Sequence, residues 1–207
     1  MDQKTMPSPR LAPMNAADAP ELQADFEAAK KRMGFLPNSV LIMARKPKMV
    51  KGFQALSASV WDPEGKVSLA FKRLLAHVAS RAAGCQYCVA HTGEGAVKLG
   101  VEQRKLDAVW DYRTSPLFTA AERAALDVAV GAGCVPNAVT DDMFIELRKH
   151  WTEEQIVEIV GLIALFGFLN RWNDTMATPL EDDPAHFGET HLAKQGWTIG
   201  KHARELP

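Results

Sequence analysis

Cys85, Cys88 and His91 stand three residues apart from one another in the stretch Cys85-Gln86-Tyr87-Cys88-Val89-Ala90-His91. On an α-helix a step of three turns the side chain by roughly 60° and lifts it one turn. The spacing therefore sets both thiols and the imidazole on one face, with Cys88 adjoining both neighbours. Gly84 ends the helical run before it, so Cys85 falls near the N-cap of the next helix and Cys88 in its first turn. Free backbone N–H groups there favour negative sulfur, and thiolate pKa values fall at helix starts and in Cys-x-x-Cys pairs. His91 can take or return a proton beside Cys88. A thiolate oxidised by peroxide becomes a sulfenic acid, which a nearby second thiol converts to a disulfide. The stretch supplies a sulfur to react, a sulfur to resolve and a proton relay.

Other chemistries compete for the same residues. Zinc could use Cys85, Cys88 and His91, but a structural site wants a fourth ligand, and Cys134 stands alone and far along the chain. Covalent haem needs His directly after the second Cys, where Val89 stands. A thioredoxin-like motif needs a strand before it, and residues 71–83 are helical in period. The plain alternative is a pair of buried structural cysteines.

The segment LLAHVASRAAGCQYCVAHTGEGAVKLG resembles the alkylhydroperoxidase D-like group of the carboxymuconolactone decarboxylase family. The runs GFLPNSVLIMARKPKMVKGF and FGFLNRWNDTMATPLEDD resemble its longer, peroxidase-related members, so the likeness spans roughly residues 33–183. The resemblance implies a thiol-dependent peroxidase of the peroxiredoxin type. In it Cys88 meets the hydroperoxide, Cys85 is the more exposed partner that forms the disulfide, and His91 relays the proton. A thiol or disulfide reductant protein is the implied partner, no cofactor or metal is expected, and the implied assembly is a homo-oligomer (dimer, trimer or hexamer). There are two departures. The family's His stands four residues after the second Cys, where this chain has Thr92. The family's relay Glu stands twelve before the first Cys, at Arg73. With His77 and Ser80 or Arg81, Arg73 could form an alternative, cationic relay, and cations also lower a thiolate pKa. For His77 a half-buried helix histidine is the bland reading. Rival functions are a lactone decarboxylase, which would not use the thiol pair, and a non-catalytic redox or zinc-binding module.

These residues need a scaffold, and the chain supplies one of helices. At 207 residues it can bury one sizeable core. A 47% hydrophobic and 24% charged composition is ordinary for a globular protein, and a net charge of −1 argues against nucleic acid. The longest apolar run, residues 159–169, is short for a membrane span, and no signal-peptide core opens the chain. Three cysteines argue against a disulfide framework, so a reducing cytoplasm is expected. Helix signals recur and strand patterns are absent, which predicts an all-α fold of six to nine helices.

Asp18 reads as a cap, Gly34 as a stop, and Pro47 as the first turn of a helix to residue 61. Helices are expected at 67–83, 85–99 and 101–110. Thr119 and Thr152 open capping boxes and Thr140 caps a helix between them. A central helix over 156–169 then turns polar at 170–174, read as a cap rather than a pocket wall. Glu94 is placed to orient His91 or to pair with Lys98. A weak helix–break–helix echo would bring Glu158 near the thiols. The domain plan is a flexible tail at 1–20, a helical domain at 21–183 and an irregular tail at 184–207. Asp182, Asp183, His186 and His191 are read there as surface residues rather than metal ligands.

Overall fold

The structure, a computed structural model, describes residues 9–203; the first eight residues of the expected tail at 1–20, and residues 204–207, lie outside them. The all-α expectation holds, with ten α-helices and no strand among the described residues. They are α1 (Gln23–Met33), α2 (Asn38–Met43), α3 (Pro47–Val60), α4 (Leu69–Ala82), α5 (Gln86–Lys98), α6 (Gln103–Asp107), α7 (Ala120–Gly133), α8 (Asp141–His150), α9 (Glu153–Met176) and α10 (Asp182–Phe187). The count exceeds nine because α6 and α10 are little more than one turn each.

Most boundaries follow their local chemistry. The Ser68 hydroxyl accepts the Phe71 N–H to start α4. Thr119 and Thr152 each exchange two hydrogen bonds with Glu122 and Gln155, the reciprocal capping box. Gly34 closes α1 in the left-handed region. Gly84 joins α4 to α5 at φ +78°, where a Cβ would meet nothing within 4 Å. Backbone conformation, not crowding, asks for glycine at the bend that aims the thiols.

α4 is the axis of the core and packs against α5, α7 and α9. Its Leu74, Leu75 and Val78 are buried in the main apolar cluster. At the α4–α7 crossing a Cβ on Gly133 would lie 2.7 Å from the Ala79 carbonyl oxygen, so glycine sets that approach. A second cluster, with Leu22, Phe26, Met43 and Val50, seats the N-terminal helices. Lys72 is wholly buried, its ammonium 2.7 Å from Glu158 and donating to the Val60 carbonyl at 2.9 Å. Glu158 also accepts the Lys66 N–H at 2.8 Å, pinning the α3–α4 loop to the first turns of α9.

Four local expectations change. Asn15, not Asp18, caps a 3-10 turn at Ala16–Asp18, and a second turn at Pro20–Leu22 precedes α1. The helix expected at 101–110 divides into α6 and a 3-10 turn at Val109–Asp111. The polar run 170–174 does not end its helix: α9 continues to Met176, with Asn170 and Asn173 buried on its inner face. Polar groups taken for a cap turn inward. α9 is thereby long and apolar enough to cross a membrane, yet it packs on α3, α4, α5 and α7. Finally, the described part of the tail expected at 184–207, residues 184–203, is built rather than irregular. α10, a π-helical turn (Gly188–Leu192) and short 3-10 turns lie on α5, anchored by buried Phe187, Leu192 and Trp197. One-turn elements are too short to show a period, which is why the sequence pattern missed them.

Candidate active site

Cys85 is the N-cap residue of α5, and its sulfur accepts the Cys88 N–H at 3.4 Å. Cys88 lies three residues into the helix. Both thiols are free and buried, Cys85 at 0% exposure and Cys88 at 2%. Cys85 is thus not the more exposed of the two in this chain. Asn173 of α9 donates its amide to the Cys88 sulfur at 3.5 Å. Burial pushes the Cys88 thiol well above its ordinary range, and the hydrogen bond and charge of Cys85 push it the same way. This reverses the lowered pKa expected at a helix start: desolvation outweighs the helix N-terminus. Cys88 rests as a thiol, so a nucleophilic role requires a base.

His91, one turn further along α5, is the candidate for that base, and Glu181 at the start of α10 holds it. Its Nε2–H donates to Glu181 Oε2 at 2.7 Å. The other Glu181 oxygen accepts the Tyr87 hydroxyl at 2.9 Å and the Asn38 backbone N–H. Burial alone would raise the Glu181 carboxyl, but the charge of His91, its hydrogen bond and the Asn38 N–H hold it below its usual value. A carboxylate can only accept, so the Nε2 that faces Glu181 carries a proton. Tyr87 lies against the imidazole at 4.4 Å between ring centroids and Phe35 at 5.5 Å, fixing the ring. Cys88 and His91 both line a cavity of about 600 Å³ including its mouth, walled by Phe53, Trp61, Phe166 and Leu169. The acid that the sequence sought at position 73 therefore arrives from residue 181.

The other expected site residues divide. Arg73 lines this cavity, its guanidinium carbon 4.4 Å above the Trp61 ring. His77 lies wholly buried beneath α5, its Nδ1 3.0 Å from the Val89 carbonyl oxygen and 3.2 Å from the Thr92 hydroxyl. Burial lowers its pKa to about 4, so it is neutral and built into the α4–α5 contact. Arg81 stacks on Trp110 and donates to the Gln195 carbonyl, and the Ser80 hydroxyl is buried without a hydrogen bond. The four residues do not form a relay to Cys88. Glu94 pairs with Lys98 at 2.7 Å rather than with His91. Glu158 serves Lys72, so the helix echo brings no acid to the thiols. Among the described residues no group of three or more His, Cys, Asp or Glu is placed to hold a metal. Sequence reasoning missed Glu181 and Asn173 as site residues. Both lie in FGFLNRWNDTMATPLEDD, where residues 170–174, Asn173 among them, read as a cap rather than a pocket wall and Glu181 has no assigned role.

Residues 47–131 match the Carboxymuconolactone decarboxylase family. The debrominase Bmp8 has a crystal structure 34% identical to this chain, with a TM-score of 0.80, covering 86% of this chain and 95% of Bmp8. The chain belongs to the carboxymuconolactone decarboxylase family. A Bmp8 variant with one cysteine replaced by alanine was solved in complex with 2,3,4-tribromopyrrole, at 33% identity and a TM-score of 0.81. The alkylhydroperoxidase AhpD core of an uncharacterized peroxidase-related protein from Ralstonia eutropha JMP134 shares the fold at 23% identity and a TM-score of 0.73, covering 84% of this chain and 93% of that one. The uncharacterized protein YnjA of Escherichia coli (strain K12) is 34% identical over 97 residues, which are 47% of this chain and 53% of YnjA. The chain thus spans about half the length of that curated relative.

Proposed function

We propose that this member of the carboxymuconolactone decarboxylase family is a thiol peroxidase that reduces a small hydroperoxide through Cys88 and Cys85. The observation that carries the reading is the Glu181–His91 pair beside a buried Cys88 at the wall of an apolar cavity, with a second thiol one turn away. His91 Nδ1 takes the Cys88 proton, and the sulfur attacks the terminal peroxide oxygen. The O–O bond breaks, and the leaving alkoxide takes the proton back from His91 as an alcohol. Cys88 is left as the sulfenic acid. The Cys85 sulfur displaces its oxygen, which departs as water with the Cys85 proton, and the disulfide closes. A dithiol reductant protein returns two electrons and two protons. Val157, Val160 and Phe168 on α9 and Leu56 on α3 stay exposed in the single chain, which supports the homo-oligomer as part of the same proposal.

A second reading has its own support. Bmp8 is a debrominase, and the aromatic cavity here suits a flat halogenated ring. Reductive debromination uses the same two thiols: C–Br becomes C–H, bromide and a proton leave, and the disulfide forms.

Peptide mapping after one equivalent of hydroperoxide tests both. The expected result is a Cys85–Cys88 disulfide within seconds and an untouched Cys134. Cys88→Ser is expected to abolish peroxide consumption, and Cys85→Ser to permit one oxidation and then stall. Thiols that stay reduced with peroxide but release bromide from a bromopyrrole would replace the first reading by the second. Undiminished turnover in both mutants would remove the thiol pair from the chemistry.

A further inference from the structure

Arg73 is a cation with no ion-pair partner among the described residues, Glu94 acting on it only at longer range. It projects from α4 into the cavity of Cys88 and His91 and into a neighbouring one lined by Arg32, Met33, Glu94 and Lys98. Its Nε is buried and makes no hydrogen bond, and a terminal nitrogen reaches only the Met33 sulfur, at 3.7 Å. Among the described residues no carboxylate lies within ion-pair distance of it: Glu94 is taken by Lys98. The contrast with other sheltered cations is plain. Lys72 has Glu158 and a carbonyl, Lys105 has Glu122, and Arg123 donates to the carbonyls of Tyr112 and Ser115. Arg32, which lines both cavities, donates to Gln54 and brings a second positive charge rather than a negative one. Burial and the charge of Arg32 lower the Arg73 pKa to about 10 against the opposing charge of Glu94, which leaves it charged at neutral pH.

The fold makes room for this arrangement. A Cβ on Gly95 would lie 3.0 Å from Arg73 Nε, so α5 carries a glycine where the guanidinium passes. A half-buried cation without an ion-pair partner is costly, and a cavity that keeps one suits a ligand that supplies the charge. Phe53, Trp61, Phe166 and Leu169 give the cavity an apolar side, and the guanidinium carbon lies 4.4 Å from the Trp61 ring centroid, with N–H groups suited to a planar acceptor.

We infer that the cavity takes an apolar carboxylate: the carboxylate accepts from Arg73, with Arg32 adding charge, and the apolar body lies along Trp61, Phe53 and Phe166 toward Cys88. This rests on the thiol chemistry proposed above and names its substrate class: an organic oxidant carrying a carboxylate rather than a neutral one.

Binding to the full chain, read without any oxidant, tests it. Benzoate and benzyl alcohol are titrated by calorimetry, and each is tested for protection of Cys88 against iodoacetamide. Benzoate is expected to bind and protect, and benzyl alcohol to do neither at the same concentration. Arg73→Gln is expected to weaken benzoate about ten- to a hundred-fold, the worth of one charge-assisted hydrogen bond. Arg73→Lys should recover part of the loss. Arg32→Gln, on a different helix, should weaken benzoate less and gives the answer should Arg73→Gln fail to fold. Equal binding of acid and alcohol, no binding of either, benzoate that leaves Cys88 unprotected, or arginine variants as tight as the parent would overturn the inference. Failure of the redox reading looks different: benzoate would still bind and protect while hydroperoxide left the thiols reduced.

Discussion

Glu181 accepts three hydrogen bonds on two oxygens, and each ties a different part of the chain to His91. Replacing it by Gln removes the charge that holds Nε2–H and offers an amide donor that favours the opposite tautomer, with Nδ1 protonated. Glu181→Gln is expected to slow iodoacetamide labelling of Cys88 about ten- to a hundred-fold, the usual cost of losing an orienting partner. Glu181→Asp should restore part of the rate. The carboxyl is held below its ordinary value, so its contribution is present above pH 4.5 and is lost only as pH falls through the lower folded value. Between pH 5 and 8 Glu181 should therefore add no step of its own to the parent's labelling profile, and the Gln variant should lower that profile throughout. An unchanged profile would reduce Glu181 to packing. The thiols and His91 were legible because helical spacing links residues within one element. Glu181 was not, because it lies ninety positions from His91 in a stretch without a period. Arg73 was legible as a site residue but not in its role, since spacing says where a side chain stands and not what opposes it.

At the scale of elements, α4 and α5 are locked by His77. Its neutral imidazole bonds to the Val89 carbonyl and Thr92, and a Cβ on Gly93 would lie 3.2 Å from its ring. Burial lowers its pKa from 6.5 to about 4. The unfolded chain therefore binds this proton first, and the stability His77 provides is complete above pH 6.5 and lost as pH falls toward 4. Urea unfolding at pH 7, 5.5 and 4.5 should show a loss approaching about 1.4 kcal/mol per pH unit in that window. His77→Gln should flatten the slope; an equal slope in both proteins would move its origin elsewhere, His202 being the other buried histidine that burial shifts downward. The helix starts at Thr119, Thr140 and Thr152 were legible because these residues cap with their own side chains. The far end of α9 was not, because buried Asn170 and Asn173 look like solvent-facing polar residues until the partners of that face are known.

For the whole molecule, the C-terminal turns complete the site. Trp197 is buried, donates its indole N–H to the Gln86 carbonyl at 3.0 Å and abuts Gly188, where a Cβ would lie 2.6 Å from the ring. Trp197→Ala is expected to cost about 3–5 kcal/mol by denaturant unfolding, and to speed native-state labelling of Cys85, one residue from that hydrogen bond. Stability lost with Cys85 still shielded would confine Trp197 to packing. The route by which Glu181 reaches the thiols also orders events during synthesis. The ninety residues between His91 and Glu181 take a ribosome about 5–20 s at ordinary rates. Through that interval the growing chain holds its cysteines with no carboxylate on His91. For any chemistry that draws on Glu181, a polypeptide stalled or cut short before residue 181 is inert, and that chemistry waits until the segment carrying Glu181 folds onto α5.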